Sequence, residues 1–166
     1  MSGDASQVLL RPLSATETTA AAAVLTESRW AAVSAGAMPQ ALHSAADVES
    51  WFAEQVVPHR EVWVAHDVQS ACAVAVLVLD VAFLDHLYVL PHHARDGIGT
   101  NLLQLAMALR PDGFELWTFA SNRPARALYA KHGLIAVEFG DGQGNEEGAP
   151  DVRYAWRPPR AVHAAQ

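Results

Sequence analysis

Apolar positions recur along this chain with two different periods, and the switches between them outline its elements. Val8-Leu9-Leu10-Arg11-Pro12-Leu13 has the composition of a short strand closed by proline. Thr16 to Trp30 then reads as a helix, with Thr16 able to cap it and the run Ala20 to Ala23 favouring it. Ala35-Gly36-Ala37-Met38-Pro39 breaks that pattern. From Ser44 to Val57 a second helix is expected, because Val48, Trp51, Phe52 and Gln55 fall at i, i+3, i+4 and i+7 while Asp47, Glu49 and Glu54 lie off the stripe. Three consecutive β-type runs follow: Glu61 to Asp67, Ala71 to Leu79 and Phe83 to Leu90, the last ended by Pro91. The first two are close enough to form a hairpin. The second is apolar at nearly every position, which implies burial on both faces. Helical spacing returns from Ile98 to Leu109, and Pro111-Asp112-Gly113 marks a turn.

A further strand, Phe114 to Ala120, is again apolar on both faces. A short helix from Pro124 to Lys131 has Asn122 as cap and Gly133 as stop, and two strands, Leu134 to Phe139 and Val152 to Trp156, complete the series. The order β α α β β β α β α β β predicts an α/β (α+β) fold: a mixed, mostly antiparallel central sheet of about seven strands flanked by helices. No linker or repeat interrupts it. Residues 1–157 are expected to be a single domain and 158–166 a frayed tail.

The 18 acidic and 11 basic residues give a net charge of −7. This argues against a nucleic-acid surface and against an anionic membrane as partner; it serves solubility or the steering of a cationic substrate. No apolar run reaches the ~18 residues of a membrane span, and Met1 to Gln7 has no leader-like pattern, so a cytoplasmic location is expected. The lone Cys72 cannot form an intrachain disulfide and is expected to be buried and inert. No His, Cys, Asp and Glu spacing looks like a metal site; the adjacent His92 and His93 cannot both face one ion from a regular element.

The chemistry concentrates after the third β-run. In Leu87-Tyr88-Val89-Leu90-Pro91-His92-His93-Ala94-Arg95-Asp96-Gly97-Ile98-Gly99-Thr100-Asn101 a strand ends, a loop turns, and two glycines open a helix. Without Cβ atoms at 97 and 99, backbone N–H groups can approach an anion closely, and the helix N-terminus adds a favourable dipole. The stretch is neither a dinucleotide fingerprint nor a P-loop. After the next strand, Asn122-Arg123-Pro124-Ala125-Arg126-Ala127-Leu128-Tyr129 starts a second helix at the same end of a βαβα unit, which places the Tyr129 phenol near whatever the glycine loop holds.

These paired motifs, and the order of elements from Val8 to Trp156, resemble the GCN5-related N-acetyltransferase (GNAT) family. The resemblance implies acetyl-CoA as co-substrate and a primary amine, on a small molecule or peptide, as acceptor; the net charge of −7 adds the expectation that this acceptor is cationic. It assigns backbone pairing with the pantetheine arm to Leu87, Tyr88 and Val89. It places the pyrophosphate on the amides of Arg95, Asp96, Gly97, Ile98, Gly99 and Thr100. It gives Asn122 a hydrogen bond to pantetheine and Tyr129 the protonation of the departing thiolate. Asp85 and His86, on opposite faces of their strand, are both candidates for the base. With no activated cysteine, direct attack in a ternary complex is expected. The chain departs from the family pattern at Ala94, at Arg95 and at Asp96, whose carboxylate would repel phosphate unless it points outward. A non-catalytic acyl-CoA-binding or sensing module, and a nucleotide-binding protein unrelated to acyl transfer, are the alternatives; a homodimer is left open. The acidic loop from Gly140 to Pro150 reads either as a mobile surface loop or as a lid over a cationic acceptor.

Overall fold

The computed structural model describes residues 7–159. Its centre is β3 (Cys72–Leu79), where every residue from Ala73 to Leu79 is buried. Because successive strand residues point to opposite faces, β3 feeds two cores at once. Ala75, Leu77 and Leu79 belong to a cluster completed by Ile98, Leu102, Leu103 and Ala106 of α3 (Ile98–Leu109), while Val76 and Val78 pack with Ala21, Ala22, Val24 and Leu25 of α1 (Thr18–Ser34) and with Phe52. Helices therefore cover both faces, as the doubly apolar run requires.

Four strands form one antiparallel sheet in chain order: β1 (Val8–Pro12), β2 (Glu61–Asp67), β3 and β4 (Leu84–Val89). Three more, β5 (Phe114–Phe119), β6 (Ile135–Gly140) and β7 (Asp151–Trp156), form a second antiparallel sheet with β7 in the middle. The seven strands of the sequence reading are all present. They form two sheets, however, joined by a single parallel bridge between Phe83 and Glu115, where the Glu115 amide donates to the Ala82 carbonyl at 3.0 Å. Beyond that bridge β4 and β5 part. The β4 backbone then has β3 on one side and an open edge on the other, and an unpaired strand edge is a row of hydrogen-bonding groups awaiting a partner.

Several local readings are corrected. Ser14, not Thr16, begins the first helical segment: a capping box with Glu17 starts a short 3-10 turn (Ala15–Glu17) that runs into α1. Arg11 grips the Glu17 carboxylate through two contacts of 2.6 Å, which ties the start of α1 to β1. The second helix is α2 (Ala45–Trp51), capped by Ser44, and it continues as a π-helical turn (Phe52–Val56) that buries Phe52 and Val56 together. Cys72 is exposed: the β2–β3 turn ends at Ala71, in the left-handed region at φ 54, so Cys72 is the first residue of its strand. The helix α4 (Arg123–Lys131) takes Asn122 as cap, and Gly133 follows it at φ 83, as expected. No helix among the described residues is long and apolar enough to cross a membrane. The tail expected to fray lies, from residue 160 on, outside the described residues.

Candidate active site

After Leu90 the chain makes a short 3-10 turn (Pro91–His93) and reaches Gly97, which caps α3 in the left-handed region at φ 76. An L residue there is strained by about 1–2 kcal/mol, so glycine is required by the backbone. A Cβ at Gly97 would meet nothing within 4 Å, and one at Gly99 only ordinary contacts with Leu128 and Val89 at 3.7 and 3.8 Å. Space is thus left beside the first turn of α3, whose leading amides have no intrahelical acceptor. Gly97, Gly99 and Thr100 line that space. The side chains of Arg95, Asp96 and Ile98 do not. Ile98 is core, Arg95 is exposed, and Asp96 turns toward His93, with its carboxylate 3.3 Å from Nδ1. What these three residues offer is backbone, and the Asp96 charge is partly drawn away.

On α4 the Asn122 side-chain oxygen accepts from the Ala125 amide at 3.3 Å, which leaves its Nδ2 group to donate into the cleft. Tyr129 is 6% exposed, with its ring 5.7 Å from that of Tyr154. Its hydroxyl makes no hydrogen bond among the described residues, and the residue lines the cleft. Burial, reinforced by Tyr88 and Tyr154, pushes the phenol well above its ordinary pKa, so it stays protonated through the neutral range.

The cleft itself, roughly 640 Å³, is lined from both faces of the fold. Gly97, Thr100, Asn122 and Tyr129 border it from the α3–α4 side; Ser28 and Arg29 of α1, with Trp117 and Phe119 of β5, border it from the other. It therefore runs through the gap where β4 leaves β5, along the open edge of Leu87, Tyr88 and Val89. Strand alternation turns Leu87 and Val89 to the α3 core and His86 and Tyr88 to the α1 side.

The two base candidates separate here. Asp85 is committed to Arg60, whose Nε lies 2.7 Å from its Oδ2. His86 sits between Trp51, edge-on at 5.5 Å, and Tyr88, stacked at 6.0 Å, and its ring nitrogens hydrogen-bond no described residue. Burial lowers its pKa to about 4; Asp85 opposes the shift, while Arg29 and Arg60 add to it, so the imidazole is neutral at pH 7. Two residues of this site carry no sequence signal. Ser28 is 7% exposed and lines the cleft, and its buried hydroxyl has no hydrogen-bond partner among the described residues. Arg29 lies over the Phe119 ring at 5.8 Å and pairs with Glu147 at 2.5 Å, a residue 118 positions away.

The loop between β6 and β7 is the other surprise. Glu147 holds Arg29, Glu146 lies 2.9 Å from His43, and Asn145 Nδ2 donates to the Ala149 carbonyl and to Asp151. Most of its residues are exposed, but Asn145 and Glu147 are partly buried and tie it across the site.

Residues 58–133, from just before β2 to the end of α4, match the family model described as an acetyltransferase (GNAT) domain, so that the split strand, the glycine loop and Tyr129 all fall inside the match. Over that stretch the chain carries a GNAT acetyltransferase domain. No curated protein sequence matches it. Among solved structures it is similar to apo YjaB from Escherichia coli, at 18% identity and a TM-score of 0.72 over 92% of this chain and 99% of that one. A GCN5-related N-acetyltransferase from Rhodopseudomonas palustris gives 19% and 0.73 over 93% and 98%. The ribosomal-protein-S18-alanine N-acetyltransferase of Escherichia coli gives 17% and 0.70 over 96% and 99%. At these identities the likeness is one of fold. With a GNAT domain the chain is an acyl-CoA-dependent acetyltransferase, and acetyl-CoA is the co-substrate that such enzymes use. The site's construction suits that molecule: free amides at a helix N-terminus for phosphate, an open strand edge for an amide-bearing arm, and polar groups at the narrow crossing.

Proposed function

We propose that this GNAT enzyme transfers the acetyl group of acetyl-CoA to a primary amine by direct attack, with donor and acceptor bound together. The observation that carries this reading is the single cleft lined from both faces through the β4–β5 gap. A donor entering from the α3–α4 side and an acceptor entering from the α1 side would meet at the gap. Cys72, the first residue of β3, is outside the cleft, so no thiol stands ready to take the acyl group first.

In this reading the amides of Gly97 to Thr100 hold phosphate, with Arg95 and Asp96 contributing backbone only. The open edge of Leu87, Tyr88 and Val89 pairs with the pantetheine amides, and Asn122 Nδ2 donates to the same arm. The amine nitrogen forms its bond to the carbonyl carbon as the C–S bond breaks. The proton lost by nitrogen passes to His86, directly or through water, and the sulfur takes one from the Tyr129 hydroxyl. Positioning, with hydrogen bonds aimed at the developing charges, supplies most of the acceleration. A base with a pKa of about 4 cannot strip an ammonium at pH 7; it can take the proton of nitrogen once attack has made that proton acidic. The acceptor must therefore give up its ammonium proton before it attacks, as the free amine. Asp85 serves instead to fix Arg60 at the end of β4.

Coenzyme A release and the mass of the acetylated product, measured over an amine panel, test the proposal; acetyl-CoA binding with no turnover on any amine would favour a sensing module. His86→Gln separates the candidate bases. It is expected to lower kcat at pH 7 by roughly 10²–10⁴-fold, with the deficit shrinking toward high pH, where the free amine and solvent base take over. Asp85→Asn is expected to lower the melting temperature more than kcat. The reverse pattern would reassign the base.

A further inference from the structure

Beside the cleft lies a second cavity of roughly 550 Å³ that shares Arg29, His86 and Tyr88 with it. Its walls and its rim differ in character. Leu25 and Val48 line it within, and two large apolar side chains stand exposed at its mouth, Leu42 at 58% and Trp51 at 42%. Neither is needed by the core clusters, and water wets both until something covers them. The rim carries three carboxylates, Asp47, Glu146 and Glu147, against one guanidinium, Arg29. Asp47 is kept ionised by the Ser44 hydroxyl and amide, which hold it below the usual carboxylate range. Glu146 and Glu147 belong to the β6–β7 loop and bridge across to His43 and Arg29.

We propose that this cavity receives the body of the acceptor, and that the acceptor is a primary amine carried on an apolar, preferably aromatic, group with no carboxylate of its own. The inference rests on the amine-transfer reading and narrows it to a substrate class. Each rival class meets a mismatch. An amino sugar would lay hydroxyls against Leu25, Val48 and Trp51, while the charged groups of the lining are already engaged, Arg29 with Glu147, His43 with Glu146 and Asp47 with Ser44, and unpaired polar groups are costly. A linear polyamine would lay its inner charges along the same apolar walls. An α-amino acid would bring a carboxylate against a rim with a net excess of negative charge, where Arg29 is already paired. An aralkylamine places its ring against Leu42 and Trp51, is drawn in by the carboxylates, and presents nitrogen toward the His86–Tyr88 wall shared with the cleft.

Calorimetry with 2-phenylethylamine, phenylalanine, glucosamine and spermidine, on the full chain in the presence of coenzyme A, tests this directly. 2-Phenylethylamine is expected to bind tighter than each of the others by about tenfold or more. Trp51→Ala and Leu42→Ser should each erase most of that advantage with little change in melting temperature, since both side chains are half exposed. Phenylalanine, glucosamine or spermidine binding as tightly as 2-phenylethylamine overturns the proposal, as does an advantage indifferent to both substitutions. Product masses from the same amines with acetyl-CoA keep the two claims apart. Selective binding of 2-phenylethylamine without acetylation would uphold the cavity and sink amine transfer. Acetylation of the other amines in preference would uphold transfer and sink the cavity.

Discussion

Tyr129→Phe is expected to bind acetyl-CoA as tightly as the parent chain and to turn over roughly 10–10⁴-fold more slowly, the general-acid range with allowance for water in place of the hydroxyl. The substitution keeps the ring against Tyr154 and removes only a hydroxyl that has no partner among the described residues, so folding loses nothing. The raised phenol pKa shapes the mechanism. The group is reliably protonated at pH 7, and it donates a hydrogen bond that strengthens as charge gathers on sulfur and passes its proton on as the C–S bond breaks. Tyr129→Ala, in contrast, is expected to cost about 3–5 kcal/mol of stability because it opens a void in the α3–α4 core. Steady-state kinetics on one competent amine, with chemistry shown to be rate-limiting, separates the cases. Full turnover in the phenylalanine variant would remove Tyr129 from the catalytic list.

Gly97→Val is expected to weaken acetyl-CoA binding by about tenfold or more, a change of about 1.4 kcal/mol, while the melting temperature falls by only a few degrees. The strain of a left-handed residue accounts for the second effect, at about 1–2 kcal/mol. The first has another origin: the added side chain meets no protein atom near its Cβ and stands in the space beside the α3 amides that phosphate is to fill. Gly133→Val supplies the control. Gly133 has φ 83 and open space around it, but it does not line the cleft, so the same backbone strain should leave binding untouched. Calorimetry on both folded variants gives the answer, and equal affinities would remove the glycine loop from the site.

Much of this site could be read from local pattern because local pattern is what makes it. The bounds of α3 follow from two glycines and the apolar spacing from Ile98 to Leu109, and Asn122 and Gly133 bracket α4 by their capping chemistry. The doubly buried β3 was visible as an unbroken apolar run. The parting of β4 from β5 was implied only by the family resemblance, because a strand's residues do not state where its neighbour stops. Arg29 gave no sign of itself, since its partner lies 118 residues on in a loop whose acidity suggested solvent. That loop is tied down because its carboxylates have an arginine and a histidine to meet. Cys72 was misplaced for a simpler reason: its neighbours Ala73 and Val74 are core, but the turn ends one residue too late for Cys72 to join them.

The central claim is that the open edge of β4 and the first turn of α3 together hold acetyl-CoA. Amide hydrogen exchange, followed residue by residue with and without the ligand, reports on both at once. With acetyl-CoA, protection is expected at Leu87 to Val89 and at Gly97 to Thr100. With ADP, which has the pyrophosphate but no pantetheine arm, it is expected at Gly97 to Thr100 alone. Saturating acetyl-CoA that leaves exchange at Leu87 to Val89 unchanged would contradict the account.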